Sequence, residues 1–408
     1  MKKIGILTFH WADNYGAVLQ AYALRKYLSQ NGYDVEVVNY NCKYPARIYE
    51  PFYFQANNMK QSVKGLLRCA YNFPTWIMKR LAFNKFRDKI GISQHEYSKR
   101  ELLAEQYDYD VLIAGSDQIW NTEIVGEDIN IYSLSFAKKA SAISYAASSG
   151  MLDVQHNKIH RTLVDEIAQL SAISVRERST KKYLEKNIEK KVFLSVDPTM
   201  LLTRTEWNQL AESVHGLDEK YLLVYCISYD ENLISTARKI SEEKNLKIVV
   251  CGKIKELKGE AVQFTHAAPE QFLNLIKNAS FIVATSYHAT VFSTIFQKQF
   301  VVLLPSYASN RVSDFCESIG VSSRCIHDAS EVDVLLNQLE IRRAESYETI
   351  KRLLEKNGYR RHREKYFTFI KTVTIQGIDY DVDVDFLSGK YGGDGSNVSK
   401  HVNGIKTL

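Results

Sequence analysis

The sequence predicts an α/β protein of two doubly wound, Rossmann-like domains facing a cleft. Three observations predict it. The chain opens with an apolar run, a polar loop, a helical stretch and a second apolar run, which together make a βαβ unit. The same rhythm restarts at residue 221, after Asp197-Pro198 breaks the first series. Residues 281–304, FIVATSYHATVFSTIFQKQFVVLL, read as strand, loop, helix and strand, with His288 at the mouth of the helix. A helix N-terminus attracts anions, and a histidine there can carry a proton.

The elements follow in order. Residues 4–9 form a buried strand and residues 10–16 a polar loop. Residues 17–30 set Val18, Leu19, Tyr22, Leu24 and Leu28 mostly along one helical face. Asn31-Gly32 ends that helix, since Gly accepts the left-handed C-terminal conformation. Residues 35–40 are the next strand. Further strands are expected at 111–114, 142–146, 172–175 and 192–196, with a helix over 154–170. In the second half, strands at 221–227 and 246–251 alternate with helices at 231–244 and 269–278. The 281–304 unit and a helix at 311–319 complete it. The expected domains are residues 1–205 and 206–343. A helix over 344–374 would cross back to brace the first domain. The tail, 375–408, has little periodicity and is expected to be weakly ordered.

Composition narrows the class. With 45% hydrophobic and 25% charged residues, the chain has the make-up of a soluble globular protein. A net charge of +6 over 408 residues gives no reason to invoke nucleic acid, and no RNA-binding or helix-turn-helix signature accompanies it. None of the six cysteines sits in a CxxC pair, which predicts reduced core thiols and a cytoplasmic protein. The apolar run at 4–9 is too short for a signal peptide core. His156 and His160 have helical metal-ligand spacing but lack the intervening Glu of a metalloprotease, so no metal site is expected. Residues 59–100 carry ten Lys or Arg against Asp88 and Glu96, interleaved with Phe73, Trp76, Ile77, Leu81 and Phe83. Such a segment either packs on its domain with a solvated basic face or lies on anionic lipid at the inner face of the plasma membrane.

In doubly wound sheets chemistry gathers at the carboxyl ends of the strands. The first such loop offers Asp13, Asn14 and Tyr15, either to bind hydroxyls or, for Asp13 or Asn14, to cap the helix. It is not GxGxxG, so no dinucleotide fingerprint is present. The second offers Asp117, Gln118, Trp120 and Asn121 beside Gly115. The third carries Arg176 and Arg178, two guanidinium groups suited to carboxylate or phosphate. The fourth is Ser286, Tyr287 and His288. The fifth, Asn310 and Arg311, opens a helix toward the same cleft.

Taken together and in order, these pieces resemble the polysaccharide pyruvyl transferase family. The matching stretches are IGILTFHWADNYGAVLQAYAL, YDVLIAGSDQIWN, ISYAASSG, ISVRERST, VDPTMLL, PEQFLNLIKNASFIVATSYHATVFSTIF and SNRV, spanning residues 4 to about 325. The resemblance implies a glycosyltransferase B fold and transfer of pyruvate from phosphoenolpyruvate (PEP) to a sugar as a cyclic ketal. PEP would be a substrate, with no tightly bound cofactor. The acceptor would be a hexose such as galactose in a cell-surface polysaccharide precursor, or a lipid-linked oligosaccharide. His288 matches the histidine of the family's Arg-x-His donor motif, while Ser286 stands where its arginine would be. Arg176, Arg178 and Arg311 are then the cations expected to hold PEP, beside Ser286, Tyr287 and Asn310. His288 either protonates PEP or stabilises phosphate charge. Asp117 or Asp13 would accept the hydroxyl proton, and Asp13, Asn14, Tyr15, Gln118, Trp120 and Asn121 would face the acceptor. Two other readings use the same cleft: a nucleotide-sugar glycosyltransferase, or a non-catalytic sugar- or anion-binding protein of polysaccharide assembly. Against the first, no Glu pair eight residues apart occurs between residues 221 and 325.

Overall fold

The structure is a computed structural model and describes residues 2–42, 49–51, 59–150, 158–214, 216–217, 220–227, 230–304 and 309–341. The crossing helix and tail expected over 344–408 lie outside the described residues, as does His156. The first half holds β1 (Lys3–Leu7), β2 (Asp34–Asn39), β3 (Ile92–Glu96), β4 (Val111–Ala114), β5 (Ser141–Ser144), β6 (Ile173–Val175) and β7 (Val192–Leu194). The first five form a parallel sheet in the order β3-β2-β1-β4-β5. Bridges at Ile143–Ala172 and Ala147–Val175 carry the parallel pairing on to β6, which pairs with β7.

The second half holds β8 (Tyr221–Tyr225), β9 (Lys247–Cys251), β10 (Ala261–Phe264), β11 (Phe281–Ala284), β12 (Phe300–Leu303) and β13 (Cys325–Ile326). They form one parallel sheet in the order β10-β9-β8-β11-β12-β13. Each half is therefore Rossmann-like, and together they form the two-domain glycosyltransferase B arrangement. The strand order reverses between β1 and β4 in one sheet and between β8 and β11 in the other. Such switch points open the crevice where ligands of open α/β sheets bind.

The three strands absent from the sequence expectation, β3, β10 and β13, all lie at sheet edges. An edge strand has one neighbour and needs no long apolar run. ISQHE, AVQF and the two-residue CI show none.

The principal helices are α1 (Tyr15–Gln30), α2 (Met59–Arg87), α3 (Lys158–Ile167), α4 (Arg178–Asn187), α5 (Arg204–Leu210), α6 (Glu231–Lys244), α7 (Pro269–Asn278), α8 (Tyr287–Ile295), α9 (Ser309–Ser318) and α10 (Val332–Ile341). Asn14 caps α1 by accepting from Ala17 N at 3.3 Å, and Gly32 (φ +86°) takes the left-handed position past its end. Periodicity predicts one buried face for α1, yet residues all round it are buried, from Tyr15 to Leu28. It lies between its own sheet and the second half. Tyr15 stacks on Phe272 of α7 at 4.3 Å, and Tyr22 meets Trp207 of α5 at 5.9 Å. Trp207 in turn packs edge-on against Phe292 of α8 at 5.0 Å. One continuous apolar core thus runs from β1 and α1 through α5 to α7, α8 and β11.

Helix α8 is almost wholly buried, including Thr290, Ser293 and Thr294. Those hydroxyls donate to the carbonyls of Ser286, Ala289 and Thr290 at 2.7–3.0 Å, so these three are satisfied within the helix. Helix α2 is 29 residues long with Pro74 inside it, and it spans most of the basic segment. Among the described residues no helix is long and apolar enough to cross a membrane.

Candidate active site

Three strand-end loops, carrying Ser116, Arg176 and His288, meet at one buried carboxylate, Asp197, which follows β7. Its Oδ1 accepts from Thr199 N (3.0 Å) and Thr199 Oγ1 (2.7 Å). Its Oδ2 accepts from Arg176 Nη1 at 2.7 Å and Ser116 Oγ at 3.4 Å. His288 Nε2 lies 3.4 Å from the same oxygen, close enough for charge attraction but not aligned as a hydrogen bond. Burial alone would raise the Asp197 carboxyl. The His288 and Arg176 charges and the Thr199 amide overcome it and hold the group well below the usual carboxylate range.

Arg176 is almost fully enclosed. Its Nε donates to Glu177 Oε1 at 3.1 Å, and its guanidinium lies 4.4 Å from the centre of the Tyr287 ring. Burial works against its charge, but Glu177, Tyr287 and Asp197 outweigh that and raise its pKa. Arg311, in α9, is pushed down by burial and then by the charge of Arg176. Two guanidinium groups near enough for one to oppose the charge of the other suit an anion.

His288 is placed by both halves. It occupies the first turn of α8, after the cap residue Ser286. Its ring also lies against the first turn of α1, where a β-carbon on Gly16 would stand 2.0 Å from its Nδ1. Only a glycine admits the imidazole there. Two donors here are buried and have no hydrogen-bond partner among the described residues: His288 Nε2 and Arg176 Nη2. A buried donor left unpaired is costly, and both stand beside the Asp197 carboxylate.

The β4 loop joins this cluster through Ser116, which also accepts from Arg176 Nη1 at 3.5 Å. Asp117 has φ +80°, a conformation that side-chain-bearing residues rarely adopt. Its Oδ1 accepts from the Gln118 amide at 2.8 Å, and its backbone bridges Ala147. Thr8 Oγ1, which accepts from Gln20 Nε2 at 2.7 Å, donates to Ser116 O at 2.7 Å and ties this loop to β1.

The other expected site residues are placed as follows. Asp13 is not the helix cap. Its carboxylate is held by Arg87 Nη2 at 2.7 Å and Arg80 Nη1 at 3.1 Å, both from α2. Asn14 is the cap, and Tyr15 is buried, with its hydroxyl donating to Ala267 O at 2.8 Å. Trp120 is fully enclosed and donates to Tyr132 O at 3.1 Å, so its ring presents no face to the cleft. Gln118 Oε1 accepts from Asn121 Nδ2 at 3.1 Å. Arg178 turns outward to Glu317 of α9, at 3.1 Å, away from Asp197. Ser286 is buried, Tyr287 underlies Arg176, and Asn310 stands in the first turn of α9.

Sequence reasoning missed the central role of Asp197, read only as a break, and of Ser116, Glu177 and Gly16. The available signal was position. Asp197 comes three residues after the end of β7, at the carboxyl end of a strand like the loops that were read as site candidates.

In sequence, none of the curated proteins matches the chain. In structure, the chain is similar to a Listeria monocytogenes protein classed with the UDP-N-acetylglucosamine 2-epimerases, at a TM-score of 0.54 and 11% identity, covering 93% of this chain and 99% of that one. It is also similar to UDP-GlcNAc 2-epimerase from Neisseria meningitidis bound to UDP-GlcNAc, at a TM-score of 0.50 and 12% identity, covering 86% of this chain and 94% of that one. At that identity the likeness shows the two-domain fold alone. The family match is of another order, since it runs over residues 14–307 and takes in Gly16, Ser116, Arg176, Asp197 and His288. The chain belongs to the polysaccharide pyruvyl transferase family.

Proposed function

We propose that the chain transfers pyruvate from PEP to two hydroxyls of a hexose, such as galactose, in a cell-surface polysaccharide precursor. The product is a cyclic ketal and the leaving group is phosphate. The observation that carries this reading is the cluster of buried cationic donors around Asp197, in which His288 Nε2 and Arg176 Nη2 make no hydrogen bond among the described residues and Arg311 feels the charge of Arg176. PEP bears a carboxylate and a phosphate, and guanidinium groups and a helix N-terminus are suited to both. Arg176 and Arg311 take the part that an arginine at position 286 would otherwise play. Ser286, Tyr287 and Asn310 complete the donor side, with Tyr287 supporting Arg176 from below.

In the reaction, PEP C3 takes a proton and becomes the methyl group, leaving C2 electrophilic. The first sugar hydroxyl adds to C2 and gives up its proton. The second adds as the bond from C2 to the phosphate-bearing oxygen breaks, and its proton leaves with the phosphate. His288 is the proton donor, since it sits where the two helix N-termini and Asp197 meet. Asp117 is the better base of the two candidate carboxylates, because Asp13 is already committed to Arg80 and Arg87. Gln118, Asn121 and Asn14 are the acceptor-side groups.

The test is phosphate release from PEP with a galactose-bearing acceptor. General acid catalysis of this kind is worth about 10²–10⁴ in rate, so His288→Ala should lose that much. Near-normal turnover in the variant would remove His288 from the chemistry. A thermal shift with UDP but none with PEP would point instead to a nucleotide-sugar enzyme. PEP binding without phosphate release on any acceptor would indicate a binding protein.

A further inference from the structure

Helix α2 wears its apolar residues on the outside. Val63 (54% exposed), Leu66, Leu67 (65%), Tyr71 (78%), Met78 and Leu81 are all open to solvent. At 3.6 residues per turn they fall within one arc of roughly 140°. The opposite side of the helix faces the protein. There Phe83 and Phe86 are fully buried, Trp76 donates to Tyr49 O at 2.7 Å, and Arg80 and Arg87 hold Asp13. The solvent-facing stripe is therefore not the helix's packing face turned the wrong way. It is a second apolar face, in addition to the one already used.

The charge of the helix itself is of one sign. Helix α2 contains seven Lys or Arg and no acidic residue. Lys79, Arg80 and Arg87 are used internally, by ring and carboxylate contacts. Lys64, Arg68 and Lys85 are exposed along the stripe. Lys253, from the second half, adds a further exposed cation, with its Nζ 5.1 Å from the centre of the Tyr71 ring. Met78 and Leu81 also line a groove of ≈ 620 Å³ whose far wall includes Phe264, Val214 and Ala267. The apolar surface thus continues from the helix into this groove. The two acids of that wall, Glu212 and Glu270, both pair with Lys89.

We propose that this face of α2 docks the protein on an anionic phospholipid surface. The apolar stripe enters the acyl boundary, and Lys64, Arg68, Lys85 and Lys253 meet the headgroups. Charge complementarity decides between lipid and protein. A protein partner of an apolar stripe has no need of a helix that carries seven cations and no acid, whereas an anionic bilayer is complementary to one. The helix lies on the surface and does not cross it, since no described helix is apolar enough to span.

The test is co-sedimentation of the full chain with vesicles of phosphatidylcholine alone or with ~30% phosphatidylglycerol, at low salt and at ~0.5 M salt. The expected result is binding to the anionic vesicles at least about tenfold tighter than to the neutral ones, lost at high salt. Two double variants on exposed positions, Leu67→Asp with Tyr71→Asp and Lys64→Glu with Arg68→Glu, should each weaken it by about tenfold or more while leaving the melting temperature unchanged. Equal binding to both vesicle types, or variants that bind like wild type, would overturn the proposal. So would a concentration-dependent dimer that the first double variant dissolves in the absence of vesicle binding, for the face would then be an interface between copies. None of these outcomes depends on the pyruvyl-transfer reading.

Discussion

Gly16 and His288 come from opposite halves of the chain, and each constrains the other. A methyl group at Gly16 would stand 2.0 Å from the imidazole, so Gly16→Ala must displace the ring. Alanine favours a helix over glycine, so secondary structure should survive in the variant. Misplacing a catalytic group by about 1 Å costs about 10²-fold in rate, and phosphate release should fall by that order while the far-ultraviolet circular dichroism stays unchanged. Asp197 is a different case. Removing a carboxylate that compensates buried cations leaves their charge unpaired, so Asp197→Ala should lose about 3–5 kcal/mol in urea unfolding. His10 supplies a pH dependence. Burial first of all pushes it down to about 4, against hydrogen bonds to Thr8 and Asn39 that favour its charge. It folds neutral, and the unfolded chain binds the extra proton between pH 6.5 and 4. Its contribution to stability is therefore complete above pH 6.5 and drains away as the pH falls through that window, by about 2 kcal/mol at pH 5. Replacing it, as in His10→Gln, should flatten the slope of unfolding free energy between pH 7 and pH 5.

At the scale of elements, α1 and α8 belong to two domains at once. The sequence showed their helical periodicity, and the strand, loop and helix order around His288 could be read from FIVATSYHATVF. The extra buried faces could not be read, because a helix at a junction is apolar or small all round and a one-sided pattern understates it. Phe272 marks the cost of losing that junction. It is fully buried, it stacks on Tyr15 and it meets Tyr225 at 5.2 Å. Phe272→Ala should therefore destabilise by about 3–5 kcal/mol, measured by denaturant unfolding, although the residue lies outside the catalytic cleft. The basic segment shows the converse. Its charge was plain in the sequence, but which cations are spent internally depends on where α2 packs. Arg80 and Arg87 secure the first loop through Asp13, and Lys64 and Arg68 remain outside.

At the scale of the whole molecule, the two halves share one apolar core through α1, α5, α7 and α8. Domain interfaces that are large and apolar resist independent motion. The described residues should therefore unfold in a single calorimetric transition, and two separable transitions would show that the shared core does not couple the halves. The sequence by itself determined the alternation of elements, the two Rossmann-like halves and the family, because strand and helix periods and the order of motifs are local along the chain. It also located the loops that carry Asp117, Arg176 and His288, though not the one that carries Asp197. Only the tertiary structure decided which side chains in those loops meet: Arg176 and His288 on Asp197, Asp13 on the arginines of α2, Trp120 in the core and Arg178 at the rim. Those outcomes depend on the register of seven and six parallel strands and on the close approach of two domains at Gly16. Residues more than a hundred positions apart become neighbours there, and no local pattern encodes such a distance.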